Sequence, residues 1–183
     1  MAYPNKIISN KITGQEIKFI QTAKDTKGEL LEMESSFSAY SKEPPVHYHP
    51  FQQEDFIVID GELTVRIDYE LRILKAGDHL HIPAKKVHAM WNNSDGKTIV
   101  NWKIRPAMNI EQLFETVTGL ANDNKTNNEG MPSILQAAVL MEHYSNVYRP
   151  ANPSFIVQKI LFGLLSLFAR LFGYRSSYKK YSD

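Results

Sequence analysis

The amino-acid sequence predicts a mainly β domain, a sandwich or barrel, followed by an α-helical extension. Two patterns carry this. From Glu16 to Arg105 the chain runs in short stretches of alternating polarity separated by turn residues. At Pro106 the pattern switches to apolar residues at helical spacing: Ile110, Leu113, Phe114, Val117 and Leu120. The length, 183 residues, suffices for one domain and an extension. The expected division is 1–106 for the β domain and 107–183 for the helices.

The elements follow in order. Glu16–Ile20 and Glu29–Phe37 alternate roughly. Asp60-Gly61 is a turn signal between Asp55–Ile59 and Glu62–Asp68. In the second of these runs Leu63, Val65 and Ile67 share one face, with Glu62, Thr64 and Arg66 on the other. Ala76-Gly77-Asp78 marks another turn before a strand over Asp78–Ile82, and Thr98–Arg105 closes the series. A helix is expected over Asn109–Leu120, then a polar loop over Asn122–Gly130. A second helix is expected with Pro132 in its first turn, running to about Tyr148. Asn152 reads as the N-cap of a third helix, Pro153 to Phe172.

Composition excludes several classes. Charged residues make up 22% and the net charge is +1, so no strong single-sign field favours nucleic acid. There are no cysteines, which removes disulfides, thiolate metal sites and a Cys nucleophile. Any metal must be held by nitrogen and oxygen. Met1–Lys27 lacks the apolar run of a secretion signal, and a cytoplasmic protein is expected.

The chemistry concentrates in the histidines, five of the six lying between His47 and His88. Residues two apart in a strand point the same way, so His47 and His49 project from one face. Glu54 follows after a short bend, and His88 adds an imidazole from a later strand. Three imidazoles and a carboxylate suit Fe, Mn, Ni, Co, Cu or Zn better than the all-oxygen preference of Ca or Mg. A lone H-x-H is more often a pair of surface residues, so spacing alone leaves both readings open.

The surroundings add a resemblance. His47, His49, Glu54 and Gly61, with four residues before Glu54 and six before Gly61, resemble the first motif of the cupin family. Ser41 stands where that motif opens with Gly. Gly77, Pro83, His88 and Asn92 match the spacing of its second motif. Lys85 replaces that motif's inner Gly, which leaves the shape of the turn before His88 open. The resemblance covers about Glu43 to Arg105. It implies a double-stranded β-helix, a jelly-roll barrel, with His47, His49, Glu54 and His88 as ligands of one divalent transition metal. Lys125-Thr126-Asn127, Gly130-Met131-Pro132 and Gly173-Tyr174-Arg175 add a likeness to bacterial single-motif cupins with a helical extension, a group without an assigned activity.

By strand parity Phe56 and Val58 follow Glu54 inward and Met90 follows His88, which makes them candidates for an apolar pocket lining. Four protein ligands leave one or two coordination positions for an organic oxygen or dioxygen. His79 and His81 form a second H-x-H, read as a strand face toward solvent rather than a second metal site. His143 is expected at the surface. Tyr48 and Lys85, beside the ligands, are expected to be structural.

The tail is the least ordinary segment. Lys159, Gly163, Ser166, Arg170 and Gly173 form one narrow stripe along an otherwise apolar helix. Lys159 and Arg170 argue against a membrane span. Burial against the barrel or a second subunit is the expectation, and a membrane surface contacted through 155–174 is the alternative. The resemblance implies a homodimer.

The expected function is a metal-dependent enzyme acting on a small organic molecule, dioxygenase-like and resembling the quercetin dioxygenases, with Glu54 doubling as a base. The rival is a non-catalytic ligand-binding or sensor module. An isomerase or epimerase fits less well, because those cupins commonly use residues other than a complete ligand set.

Overall fold

The computed structural model describes residues 1–182. The strands are β1 (Ile7–Ser9), β2 (Glu16–Gln21), β3 (Leu31–Phe37), β4 (His47–Tyr48), β5 (Gln53–Asp60), β6 (Glu62–Ile67), β7 (Glu70–Lys75), β8 (His79–Ile82), β9 (His88–Trp91) and β10 (Thr98–Arg105). After them come α1 (Ile110–Asn122), α2 (Ile134–His143), the short strand β11 (Arg149–Pro150), α3 (Phe155–Leu171) and α4 (Lys179–Ser182).

The strands form two antiparallel sheets. One has the order β1-β2-β3-β10-β5-β8, the other β11-β4-β9-β6-β7. Alternation decides which side chains enter the space between them. β10 sends Thr98, Val100, Trp102 and Ile104 inward. β5 does the same with Glu54, Phe56 and Val58. On the facing sheet Leu63, Val65 and Ile67 are buried, as their pattern predicts. This is the expected mainly β architecture, two facing antiparallel sheets, followed by a helical region.

β7 was not legible in the sequence. It is an edge strand with Leu71 and Ile73 exposed, so no burial imposes alternation on it. The Asp60-Gly61 turn is where the chain crosses from β5 in one sheet to β6 in the other. Gly61 has φ +78°, and a Cβ there would lie 2.5 Å from the Lys97 carbonyl oxygen.

The helices are part of the same hydrophobic cluster as the barrel. Ile110, Leu113, Leu120, Leu140, Tyr144 and Val147 join Phe19, Met33, Phe56 and Trp102 in it. Phe114 of α1 meets the Trp102 ring at 5.1 Å, so α1 closes one end of the β domain. A buried ion pair, Lys6–Glu115 at 2.7 Å, ties α1 to the N-terminal segment.

Three helix expectations are corrected. Pro132 lies before α2, bridged to Thr126, and Ser133 is the N-cap, its hydroxyl accepting from the Gln136 N–H. α2 ends at His143 rather than Tyr148, because the chain must turn there for Arg149 and Pro150 to pair with β4. Ser154, not Asn152, is the N-cap of α3.

One part of the tail expectation, burial of its apolar face against the barrel, is also corrected. α3 packs on α2, but it does so through Gln158, Ser166 and Ala169. The Gln158 amide donates to the Pro150 and Pro153 carbonyls, and the Ser166 hydroxyl to that of Gly163. Small or hydrogen-bonded side chains let the two helices approach closely. The broad apolar arc of α3 therefore faces away from the barrel.

Gly61→Ala should cost about 2 kcal/mol or more, since a left-handed backbone and a carbonyl contact both oppose the methyl group. Denaturant midpoints of the two proteins measure this; an unchanged midpoint would contradict the turn geometry.

Candidate metal centre

Both sheets contribute to the site. His47 in β4 pairs in register with His88 in β9, which sets the two imidazoles side by side, ring centroids 4.5 Å apart. His49 lies just past β4, its ring 5.1 Å from His47 and 5.3 Å from His88. One ring nitrogen from each of the three lies within 4.8 Å of the others. Glu54 reaches across from β5: its Oε2 is 2.8 Å from His88 Nε2 and 3.4 Å from His49 Nε2. Glu54, His49 and His88 are buried.

Each ring is oriented by a backbone carbonyl. His47 Nδ1 faces the Pro45 oxygen at 2.9 Å, His88 Nδ1 that of Lys86 at 2.9 Å, and His49 Nδ1 that of Val147 at 2.5 Å. A carbonyl only accepts, so Nδ1 carries the hydrogen and Nε2 is left with its lone pair turned inward. This is how metal-ligating imidazoles are commonly held. The Trp102 indole N–H donates to Glu54 Oε1 at 3.0 Å, which leaves Oε2 free.

The outcome is a set of orphaned donors. His49 Nε2, His88 Nε2 and Glu54 Oε2 are buried without a hydrogen-bond partner. The 2.8 Å approach of His88 to Glu54 counts as an ion pair only if Nε2 also carries a proton. Lone pairs converging in a dry site cost free energy unless a proton or a metal ion sits among them. The three imidazoles are thus positioned to hold one ion, with the Glu54 carboxylate beside them.

The electrostatics agree with this geometry. Burial pushes the Glu54 carboxyl up, but the imidazoles of His49 and His88 outweigh it and hold the pKa at about 2. His47 is held well below its ordinary value by burial first and then by its neighbours His88 and His49. For His88 burial alone would lower the value, yet the hydrogen bond and charge of Glu54 raise it.

Other residues singled out by the sequence fall elsewhere. Phe56, Val58 and Met90 are buried in the barrel core, with Phe56 stacked on Trp102 at 5.5 Å. His79 and His81 are exposed on β8, and His81 Nδ1 lies 2.7 Å from Asp55 Oδ1. His143 is exposed at the end of α2. Lys85 has φ +69°, so it adopts the left-handed conformation that the missing Gly would favour. Its N–H donates to the His49 carbonyl at 2.7 Å. Asn92 is a structural hub: its amide donates to the Phe37, Ser38 and Gly96 carbonyls. Ser41, where a Gly was expected, accepts the Asn92 N–H at 2.9 Å.

Three contributors escaped sequence reasoning. Trp102 was read only as part of an apolar strand; an inward indole, whose N–H needs a buried acceptor, was the signal. Tyr148 stacks on His47 at 4.6 Å, its hydroxyl pKa raised by burial. Val147 supplies the carbonyl on His49 from 98 positions away, and no local pattern marks either of these last two.

Residues 38–102 match the Cupin domain family model. That matched region of the chain is similar to the cupin domain. Over 104 residues, 57% of this chain, it is 30% identical to quercetin 2,3-dioxygenase of Bacillus subtilis. Over 43 residues, 23% of this chain, it is 49% identical to the uncharacterized protein YdbB of the same organism. These alignments span only 30% and 38% of the two relatives' own lengths. Among solved structures it is similar to an RmlC-like cupin from Shewanella frigidimarina, with TM-score 0.49, 20% identity, and 61% of this chain and 94% of that one covered. A predicted oxalate decarboxylase from Thermotoga maritima gives TM-score 0.49 and 18% identity over 56% of this chain and 92% of that one.

His49→Ala should reduce bound metal at least about tenfold while the barrel stays folded, because the core does not depend on the ion. His79→Ala should leave metal content unchanged. Equal loss in both variants, read by elemental analysis, would contradict the ligand set. The sign of the pH dependence follows from His88. Its raised folded value stabilises the metal-free chain at low pH, and that contribution is lost as pH rises through the raised value. A metal ion must displace this proton, so uptake should release about one proton and weaken as pH falls. Titration calorimetry in buffers of different ionisation enthalpy measures both.

Proposed function

We propose that this chain is a metal-dependent cupin acting on a small organic molecule with dioxygenase-like chemistry. The observation that carries the reading is the converging set of buried, unpartnered atoms: His49 Nε2, His88 Nε2 and Glu54 Oε2, joined by His47. Imidazoles and a carboxylate favour Fe, Mn, Ni, Co, Cu or Zn. Such an ion supplies Lewis-acid polarisation of a coordinated enol or catechol-type oxygen, and a redox-active one extends this to dioxygen. The similarity to quercetin 2,3-dioxygenase supports the same class.

The residues of the chain have distinct parts in this proposal. His47, His49, His88 and Glu54 hold the ion. The Pro45, Lys86 and Val147 carbonyls keep the three Nε2 atoms aimed at it. The Trp102 indole keeps Glu54 from turning away. A carboxyl held at about 2 is a weak base at neutral pH, so the ligand role of Glu54 outranks its role as a proton acceptor.

A specific observation favours a second reading, a non-catalytic ligand-binding or sensor module. Val147 and Tyr148, between α2 and β11, touch His49 and His47 directly. A ligand that moves either imidazole would move the helical extension with it.

Purified protein should carry close to one transition-metal ion per chain and consume oxygen with a phenolic or enolic substrate, and Glu54→Ala should abolish both. Metal with no oxygen uptake on any such compound, but with substrate-dependent shifts in thermal midpoint, would overturn the enzyme reading in favour of the sensor. Protein that takes up no transition metal would overturn both.

A further inference from the structure

α3 leaves a large apolar surface with nothing in the chain to cover it. Ile156, Val157, Ile160, Leu161, Leu164, Leu167, Phe168, Leu171 and Phe172 are all exposed, from 43% for Leu161 to 84% for Leu171. At 100° per residue these nine positions form an unbroken arc of about 160°, with no polar residue inside it. Opposite the arc, Gln158, Ser166 and Ala169 lie buried against α2. The helix is thus held firmly by one side and bare on the other. Lys159 and Arg170 border the arc along one edge, both exposed.

Charge decides between the occupants such a face would accept. The segment after Glu142 carries six cations, Arg149, Lys159, Arg170, Arg175, Lys179 and Lys180, and a single acid, Asp183. The preceding residues hold 15 of the 21 cations and 19 of the 20 acids. The near-neutral net charge of the chain therefore hides a basic tail on an acidic body. A second copy would bring the same cationic edge to the contact, with no carboxylate on α3 to meet it. Glu142, on α2 against which α3 packs, is already engaged by the Arg170 guanidinium at 2.6 Å. An anionic bilayer surface offers both an apolar layer for the arc and negative headgroups for its edge. Among the described residues no helix is long and apolar enough to cross a membrane, so the fit is to a helix lying in the interface plane.

We propose that α3 docks this protein on an anionic lipid surface, with the arc from Ile156 to Phe172 immersed at the headgroup boundary, Lys159 against the headgroups, and Arg170 beside it paired with Glu142. This surface is independent of the metal site. It nevertheless begins five residues after Arg149–Pro150, the strand that pairs with β4, and so the docked helix would hold the metal-bearing edge of the barrel near the membrane.

The full chain, mixed with vesicles of phosphatidylcholine alone or of phosphatidylcholine with phosphatidylglycerol, tests this by flotation. Strong flotation with the anionic vesicles, little with the neutral ones, and weakening with added salt are expected. Lys159→Gln should lower the partition coefficient roughly fivefold. The double variant Leu164→Gln, Leu171→Gln should abolish flotation with an unchanged circular dichroism spectrum and thermal midpoint, since both side chains point away from the fold. No flotation of the wild-type chain with either vesicle would overturn the proposal. So would equal flotation with both compositions. A wild-type dimer in light scattering that the double variant converts to a monomer, with no vesicle binding, would assign the face to a second copy instead.

Discussion

The Glu54 carboxylate sits between the two sheets, away from water, and the rest of the site is arranged around that fact. An ionised carboxylate costs several kcal/mol to bury unless charge and hydrogen bonds compensate. Trp102 satisfies one oxygen, and the imidazoles of His88 and His49 face the other. That demand reaches outward. Each imidazole has to present Nε2, so each needs an acceptor for Nδ1, and three separate backbone carbonyls have to be in place. Two are local, at Pro45 and Lys86, two residues from the rings they hold. The third, Val147, comes from the helical extension.

This third carbonyl changes what the extension is. The helices are not simply appended to a finished barrel. β11 adds to the edge of the sheet that carries His47, and Phe114 of α1 lies on the Trp102 ring that holds Glu54. Tyr148 covers one face of His47. Two of the four candidate ligands thus depend on residues beyond the family's motif region for their orientation or cover. A rearrangement of α2 or α3 would be felt at the donor set within one or two contacts.

α3 inverts the usual economy of a surface helix. Ordinarily the apolar stripe faces the core and the polar residues face water. Here a glutamine, a serine and an alanine are buried against α2, Phe155, Phe162 and Leu165 are half-buried, and the other leucines, isoleucines and phenylalanines face out. The buried polar atoms are satisfied by nearby carbonyls, so the inner contact is not frustrated. The outer face is much larger than the scattered apolar residues that soluble proteins tolerate. The anchoring of α3 on α2, and of the start of α3 on the barrel edge, gives that face a fixed orientation relative to the candidate metal centre.

Much of this was legible in the sequence. Runs that bury one face, such as Leu63-Val65-Ile67 and Thr98–Arg105, announced themselves by alternation, because burial acts on every second side chain. The exposed edge strand β7 carried no such signal. His47, His49, Glu54 and His88 were singled out by their resemblance to the cupin motifs, since the spacing of the histidines alone also fits surface residues. At Lys85 the local sequence suggested an altered turn, but the surrounding hydrogen bonds hold a lysine in a glycine conformation. What the sequence determined by itself was therefore local: which residues alternate, which share a strand face, which segments wind into helices. Only the tertiary structure decided which side of α3 faces inward, and that Trp102, Val147 and Tyr148 complete the site. The roles of Trp102, Val147 and Tyr148 depend on contacts between segments 48 to 101 positions apart, which no periodicity along the chain records.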